Sequence, residues 1–473
     1  MTIMLLGLLL AAPASAESPP DPVAAALAQA GPGTRIGLVV VDEQGHEIVA
    51  IRPDERFMPA SNTKIFTTAA AFATLDMTAA DGGGGAEVRL EGRDVVLVGH
   101  GDARLSSAPD CRVDCLAALA DAVAARTHVV HDVIGDDSAF PDERWPQGMS
   151  WNNQAGRYGT AVSALTIDDN VAELAVTSGA IGTPPGIGSD GYYRIENRAI
   201  TVPGARSSLE VTRLPGSDIL QITGSLGSSA TPRPLFVGID DPAHRAAWRL
   251  IRLLRADGVR VTGTVTVRHR PLSPSDDPAQ RSGAPAPRPP APPAALARLA
   301  PPPLAEDARL TNKVSQNLHA ELFLRRVAAA TGSGSVADGR AVVSHMLGDI
   351  GIARWQYDFA DGSGMSSYNR VTPRATVALL RWITAQPWGA AWRTTLPVGG
   401  VDGTLAARFH GTPLDGRLFA KTGSLNATSA VSGYLTGASG HVLTFAAFAN
   451  DVPGDASAIG AIDQALLAVA ASH

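Results

Sequence analysis

The two ends of this chain carry one kind of pattern and the stretch between them carries another. Arg35 to Asp42 (RIGLVVVD) reads as a strand, Glu43-Gln44-Gly45-His46 as a turn, and His46 to Ile51 as a second strand. Before them, Asp21 to Ala30 reads as a short helix stopped by Gly31. After them, a helix is expected to open at Pro59-Ala60-Ser61, with Ile65, Phe66 and Ala69 as its apolar contacts. Near the C-terminus, Leu418–Ala420, Ala430–Leu435 and Val442–Phe448 read as three more strands. Ile459, Ile462, Leu466 and Leu467 then fall at i, i+3, i+7 and i+8, the stripe of an amphipathic helix. The two ends are therefore expected to build one helix-on-sheet domain.

The middle has a different texture. From about Asp81 to about Arg270 the chain offers short strands, such as Val95–Gly99 and Val259–Val267, broken by Gly, Pro and Asp turns. Its clearest helix is Pro242–Ala256. Leu272 to Pro303 is so dense in Pro and Ala that it reads as a linker or exposed loop. Helical pattern returns at Glu306. The expected organisation is α+β and multidomain: a catalytic domain in two parts, 17–80 and 306–473, interrupted by a β-rich insertion at 81–271 and a linker at 272–305. At 473 residues, two or three domains are expected on length alone.

A formal charge of −6 without a basic cluster gives no support for nucleic-acid binding. Residues 1–16 read as a secretory signal: Ile3 to Ala12 is a short apolar run and Ala14-Ser15-Ala16 fits a cleavage site. No Lys or Arg precedes that run, which departs from the usual pattern. The run is too short for a retained membrane span, so a periplasmic or secreted location is expected. Cys111 and Cys115 are four apart; a helix would suit a bridge poorly and a turn would suit it better. No third ligand accompanies His128 and His131, and no metal site is expected.

The chain has 36 arginines and only three lysines. Arginine does not release its proton in a protein, whereas burial or a nearby cation can make lysine neutral. Two lysines stand in Ser61-Asn62-Thr63-Lys64 and Lys421-Thr422-Gly423-Ser424, and Lys313 precedes Ser315-Gln316-Asn317 by two residues. At a helix start, Ser61 and Lys64 share one face, so a neutral Lys64 could take the Ser61 proton and create a nucleophile. Gly423 would let a ligand backbone approach a strand edge. Lys421 and Thr422 would offer a cation and a hydroxyl to a carboxylate, and Lys421 would lower the pKa of a nearby Lys64. Each motif alone is weak: capping serines, turn residues and an exposed edge lysine are the ordinary explanations.

In the order SxxK, SxN, KTG the three resemble the motifs of the penicillin-recognising serine acyl-enzymes. Their flanks resemble the class C low-molecular-mass penicillin-binding proteins, which are D-Ala-D-Ala carboxypeptidases and endopeptidases. The similar stretches are Pro59–Lys64, Asn312–Glu321, Asp361-Gly362-Ser363-Gly364-Met365-Ser366, Gly400–Leu405 and Ala420–Leu425, with Val98–Asp102 and Ala161–Leu165 in the insertion. About 250 residues separate SxxK from SxN, the long spacing of that group. Class A β-lactamases lack such an insertion, and no Glu-bearing deacylation loop is recognisable.

The resemblance implies a penicillin-binding/β-lactamase-like fold, with an antiparallel sheet flanked by helices and a helical subdomain. It implies that Ser61 attacks the penultimate D-Ala carbonyl of a peptidoglycan stem peptide, or a β-lactam, with Lys64 as base. Ser315 would relay a proton to the leaving amine near Lys421. Asn317 would hold the substrate amide, and Thr422 backed by Lys421 the terminal carboxylate. The N–H groups of Ser61 and Ser424 would form the oxyanion hole, with Gly423 between the binding residues. No cofactor is implied. Gln316 and Ser424 replace residues commoner in the group, and Asn152-Asn153 follow Trp151 where two acids are frequent. Trp151 and Tyr158 are expected to pack within the insertion, unless their loop reaches the cleft. Asp361 is expected to act in a conformational loop or as a plain turn residue. The competing readings are a β-lactamase or esterase-like serine hydrolase, and a non-catalytic cell-wall binding protein.

Overall fold

A computed structural model describes residues 21–282, 284–286 and 293–473. The expected signal at 1–16 lies outside the described residues. The two chain ends meet in one five-stranded antiparallel sheet, ordered Glu47–Ile51, Arg35–Val41, Val442–Asn450, Thr428–Thr436, Leu418–Leu425. Alternation along the strands divides their side chains between two layers. Val39, Val41, Ala446 and Phe448 face one core, while Leu38, Val40, Phe445 and Ala447 face the other. Helices Pro22–Leu27 and Ile459–Ser472 cover the second face. The first carries the helices Thr63–Thr74, Asn317–Thr331, Val336–Asp349 and Pro373–Thr384. The architecture is α+β, with a sheet sandwiched between helical layers.

The insertion is built in two parts. The first is a five-stranded mixed sheet ordered Val265–Arg270, Val133–Pro141, Asp94–Val98, Glu87–Glu91, Ala297–Arg298. Parallel pairs at its centre require crossovers, and two helices, Leu116–Ala124 and Pro242–Ala256, pack on it through Leu119, Val123, Leu250 and Leu254. Pro242 sits in the first turn of its helix and Asp241 caps it, accepting from the His244 N–H at 2.9 Å. The second part is a set of short strands between Val171 and Gly238 around Leu220, Ile222 and Val237.

The stretch expected to be a linker takes part in this packing. Ala297–Arg298 closes the insertion sheet against Val88 and Glu87. Asp276 is fully buried and accepts from Arg270 Nη1 at 2.6 Å. Proline density excludes a central strand but not an edge strand or anchored turns. Cys111 and Cys115 form a disulfide in the turn before helix Leu116–Ala124, where a non-helical Cys115 brings the Cα atoms to 5.8 Å. His128 and His131 lie on the surface.

Candidate active site

Ser61 lies in the single turn Ala60–Asn62 that leads into helix Thr63–Thr74. Ala60 before it holds a positive φ of 48°, a costly conformation for a residue with a Cβ. Gly364, at φ 89°, presses against this turn; a Cβ there would meet the Ala60 carbonyl oxygen at 1.9 Å. The Asp361–Ser366 loop is thus the buttress that holds Ser61 in place.

Lys64 is fully buried. Its Nζ lies 2.9 Å from Ser61 Oγ, 2.6 Å from Asn317 Oδ1 and 2.6 Å from the Ser363 carbonyl oxygen. A neutral amine has two N–H groups and one lone pair. Asn317 and Ser363 are acceptors only at these atoms, so they hold the two N–H groups and leave the lone pair for the Ser61 hydroxyl. Burial lowers the Lys64 pKa to about 7, outweighing the charges of Asp361 and Glu321, which raise it.

Ser315 occupies the break between helices Leu304–Lys313 and Asn317–Thr331, at φ 63°. Its Oγ receives a hydrogen bond from Lys421 Nζ at 2.9 Å. Lys421 also donates to the Thr422 carbonyl at 2.9 Å and is fully buried. Burial, and then the charge of Lys64, hold its pKa well below the usual lysine value. The electrostatic coupling expected between the two lysines is therefore present, and burial is the largest cause of the lowered pKa at each. Asn317 opens its helix and is buried, with its Nδ2 donating to the Tyr158 carbonyl at 2.9 Å. Both ends of its amide are occupied within the protein.

Lys421-Thr422-Gly423-Ser424 lies inside a strand rather than after one. Strand Leu418–Leu425 pairs with Thr428–Thr436 along its full length, so the backbone ladder carries the motif past Ala420. Gly423 backs onto Ser61: a Cβ would meet the Pro59 carbonyl at 2.7 Å and the Ser61 nitrogen at 3.0 Å. Glycine is required by this approach of two backbones. Thr422 Oγ1 lies 2.6 Å from Thr404 Oγ1 at the cleft rim.

Ser61, Ser315, Asn317, Thr422, Gly423 and Ser424 line one cleft of about 1260 Å³. Tyr158, Asn152 and Asn153 line it too, so the insertion loop reaches the cleft. Trp151 and Tyr158 are 60% and 54% exposed, which corrects the expectation that they pack inside the insertion. Sequence reasoning assigned no role to Glu321, although it stood in a quoted stretch, one helical turn after Asn317. Its Oε1 accepts from the Gly362 and Ser363 N–H groups at 3.0 and 2.9 Å, and its Oε2 from Arg325 at 2.9 Å. Asp361 is more than a turn residue: it is buried and accepts from Gly364, Ser366 and Asn369. Burial, reinforced by Glu321, raises its pKa to about 6.

Residues 21–472 match the D-Ala-D-Ala carboxypeptidase 3 (S13) family. The chain belongs to that family. It is accordingly a serine-type peptidase of the D-Ala-D-Ala carboxypeptidase class. A D-alanyl-D-alanine carboxypeptidase of Actinomadura sp. (strain R39) is 33% identical over 440 residues, covering 87% of this chain and 77% of the relative. A D-alanyl-D-alanine carboxypeptidase of Haemophilus influenzae is 25% identical over 442 residues, covering 88% and 86%. Among solved structures, penicillin binding protein 4 of Haemophilus influenzae superposes on this S13 chain with a TM-score of 0.78 at 21% identity, covering 94% of this chain and 97% of the other. That likeness extends across the insertion and establishes the shared fold.

Proposed function

We propose that this S13 chain removes the terminal D-Ala from peptidoglycan stem peptides through an acyl-enzyme on Ser61, and that β-lactams acylate the same oxygen. The observation that carries this reading is the arrangement at Lys64, whose two N–H groups are held by Asn317 and Ser363 while its remaining position faces Ser61 Oγ at 2.9 Å. Neutral Lys64 takes the Ser61 proton as Oγ attacks the carbonyl of the penultimate D-Ala. The N–H groups of Ser61 and Ser424 receive the developing oxyanion. The proton that Lys64 took is relayed through Ser315, beside Lys421, to the leaving amine, which returns Lys64 to its neutral form. Thr422 and Lys421 hold the terminal carboxylate, and Asn317, whose Nδ2 keeps a second hydrogen beyond the one given to Tyr158, positions the peptide while holding Lys64. Water then releases the acyl group.

The same reading places the enzyme outside the cytoplasm. The Cys111–Cys115 disulfide suits an oxidising compartment, and none of the described helices is long and apolar enough to cross a membrane. A structure of the Haemophilus influenzae penicillin binding protein 4 complexed with a β-lactam has the same fold, with a TM-score of 0.73.

The test is intact mass after incubation with a penicillin. One adduct per chain, absent in Ser61→Ala, is the expected result. An adduct that persists in Ser61→Ala would overturn the assignment. No adduct with rapid drug loss would make the chain a β-lactamase instead.

A further inference from the structure

Of the three lysines, Lys313 has no part in the acylation chemistry above. It ends helix Leu304–Lys313, two residues before Ser315, and its Nζ donates to Asp402 Oδ2 at 2.5 Å. The other oxygen of that carboxylate, Oδ1, accepts from the Val398 N–H at 2.9 Å. Val398 in turn forms a β-bridge with Phe419 of strand Leu418–Leu425. The loop that starts there is thus tied at its base to the strand carrying Lys421 and Thr422. Its tip is pinned by the residue after Asp402. Gly403 holds φ 58° and packs on the end of helix Leu304–Lys313, where a Cβ would meet the Lys313 carbonyl oxygen at 2.4 Å. The side chain of Lys313 therefore grips Asp402, and its backbone grips Gly403.

Thr404 comes next, so this grip sets where its side chain lies. Thr404 Oγ1 is 2.6 Å from Thr422 Oγ1, and both residues line the Ser61 cleft. Each hydroxyl has one hydrogen to donate. One of the two hydrogens is spent between the oxygens, whichever of them donates. The other remains. The pair therefore presents a single O–H with a fixed direction, polarised by the bond behind it. Thr422 alone would leave its hydroxyl free to rotate.

We infer that Thr404 is a further recognition residue for the ligand's carboxylate, working as a hydroxyl pair with Thr422, and that Lys313 is the positioning residue that holds it there through Asp402. The inference rests on the proposed acyl-enzyme reading and adds the residues that sense the ligand's negative charge. A carboxylate takes a charge-assisted hydrogen bond from the pair, whereas an ester in its place is a neutral, weaker acceptor.

The experiment compares benzylpenicillin with its methyl ester. The second-order rate of acylation by each is followed by intact mass, and the ratio of acid to ester is read. Wild type is expected to favour the acid. In Thr404→Val, which keeps the shape and removes the hydroxyl, the ratio is expected to fall about tenfold, the size of one hydrogen bond to a charged group. Thr404→Ser, which keeps the hydroxyl, retains the wild-type ratio. Lys313→Met lowers the ratio about threefold, as suits the loss of a partly exposed ion pair that acts only through its partner. A wild type indifferent between acid and ester, or an unchanged ratio in Thr404→Val, would overturn the inference. So would an equal loss with both ligands, because a distorted cleft slows acid and ester alike. An unchanged ratio in Lys313→Met would overturn the positioning role of Lys313. Wild type that is acylated by neither compound rejects the acyl-enzyme reading itself, whereas acylation without dependence on Thr404 rejects this inference alone.

Discussion

Lys64 Nζ lies 2.6 Å from the carbonyl oxygen of Ser363, a residue 299 positions away in the chain. That contact ties Lys64 to a loop held by Glu321 and Asp361. The loop in turn presses Gly364 against the turn that carries Ser61. Ser61, Lys64 and the Asp361–Ser366 loop thus form one packed unit.

Acylation is expected to follow the protonation of Lys64. The charged lysine cannot accept a proton, and its pKa is about 7. The second-order rate of penicillin acylation therefore rises from pH 5 towards pH 8 and levels off above it. A profile flat between pH 5 and pH 8 would rule out Lys64 as the titrating base.

Asn317→Asp places a carboxylate where the amide oxygen now sits 2.6 Å from Lys64 Nζ. An adjacent opposite charge stabilises the ammonium and raises the pKa by about 1–3 units. The acid limb of the same profile is expected to move to higher pH, with a lower rate at pH 7. An unmoved limb would mean that Asn317 does not face the titrating group.

Gly364→Ala introduces a Cβ at φ 89° against the Ala60 carbonyl. The left-handed strain alone costs ~1–3 kcal/mol, and relief of the clash must displace the Ser61 turn. The acylation rate is expected to fall more than tenfold while the far-ultraviolet circular dichroism stays near that of the wild type. Wild-type acylation in this variant would show that the loop does not position Ser61.

Glu321→Gln leaves buried Arg325 without its carboxylate. The two side chains are 3% and 2% exposed. Removing one member of a buried pair costs ~3–5 kcal/mol, so the urea midpoint is expected to drop clearly. A shift below about 1 kcal/mol, the range of an exposed pair, would argue against this account of the ion pair.

Cys111→Ser with Cys115→Ser opens a ring of only five residues. Chain entropy for so short a loop amounts to about 2 kcal/mol. A loss of that size is expected in urea unfolding, and the Ser61 adduct still forms, because the disulfide lies outside the cleft lining.

The sequence alone determined the elements whose signal is local. Alternating Val and Leu in Arg35–Val41, the capped helix Pro242–Ala256 and the stripe of Ile459–Ser472 follow from periodicity and end signals carried within each segment. The scarcity of lysine and the order of three short motifs were enough to single out Ser61, Lys64, Ser315, Asn317 and Lys421. Only the tertiary structure decided what depends on distant contacts. It placed Lys421 inside a strand, because pairing with Thr428–Thr436 extends the ladder. It turned Ala297–Arg298 from linker into a sheet edge, and brought Tyr158 and Asn152 of the insertion into the cleft. It also showed Glu321 and Asp361 to be the buried supports of the Lys64 site. Burial and long-range hydrogen bonds belong to pairs of residues far apart in the chain, and no local pattern records them.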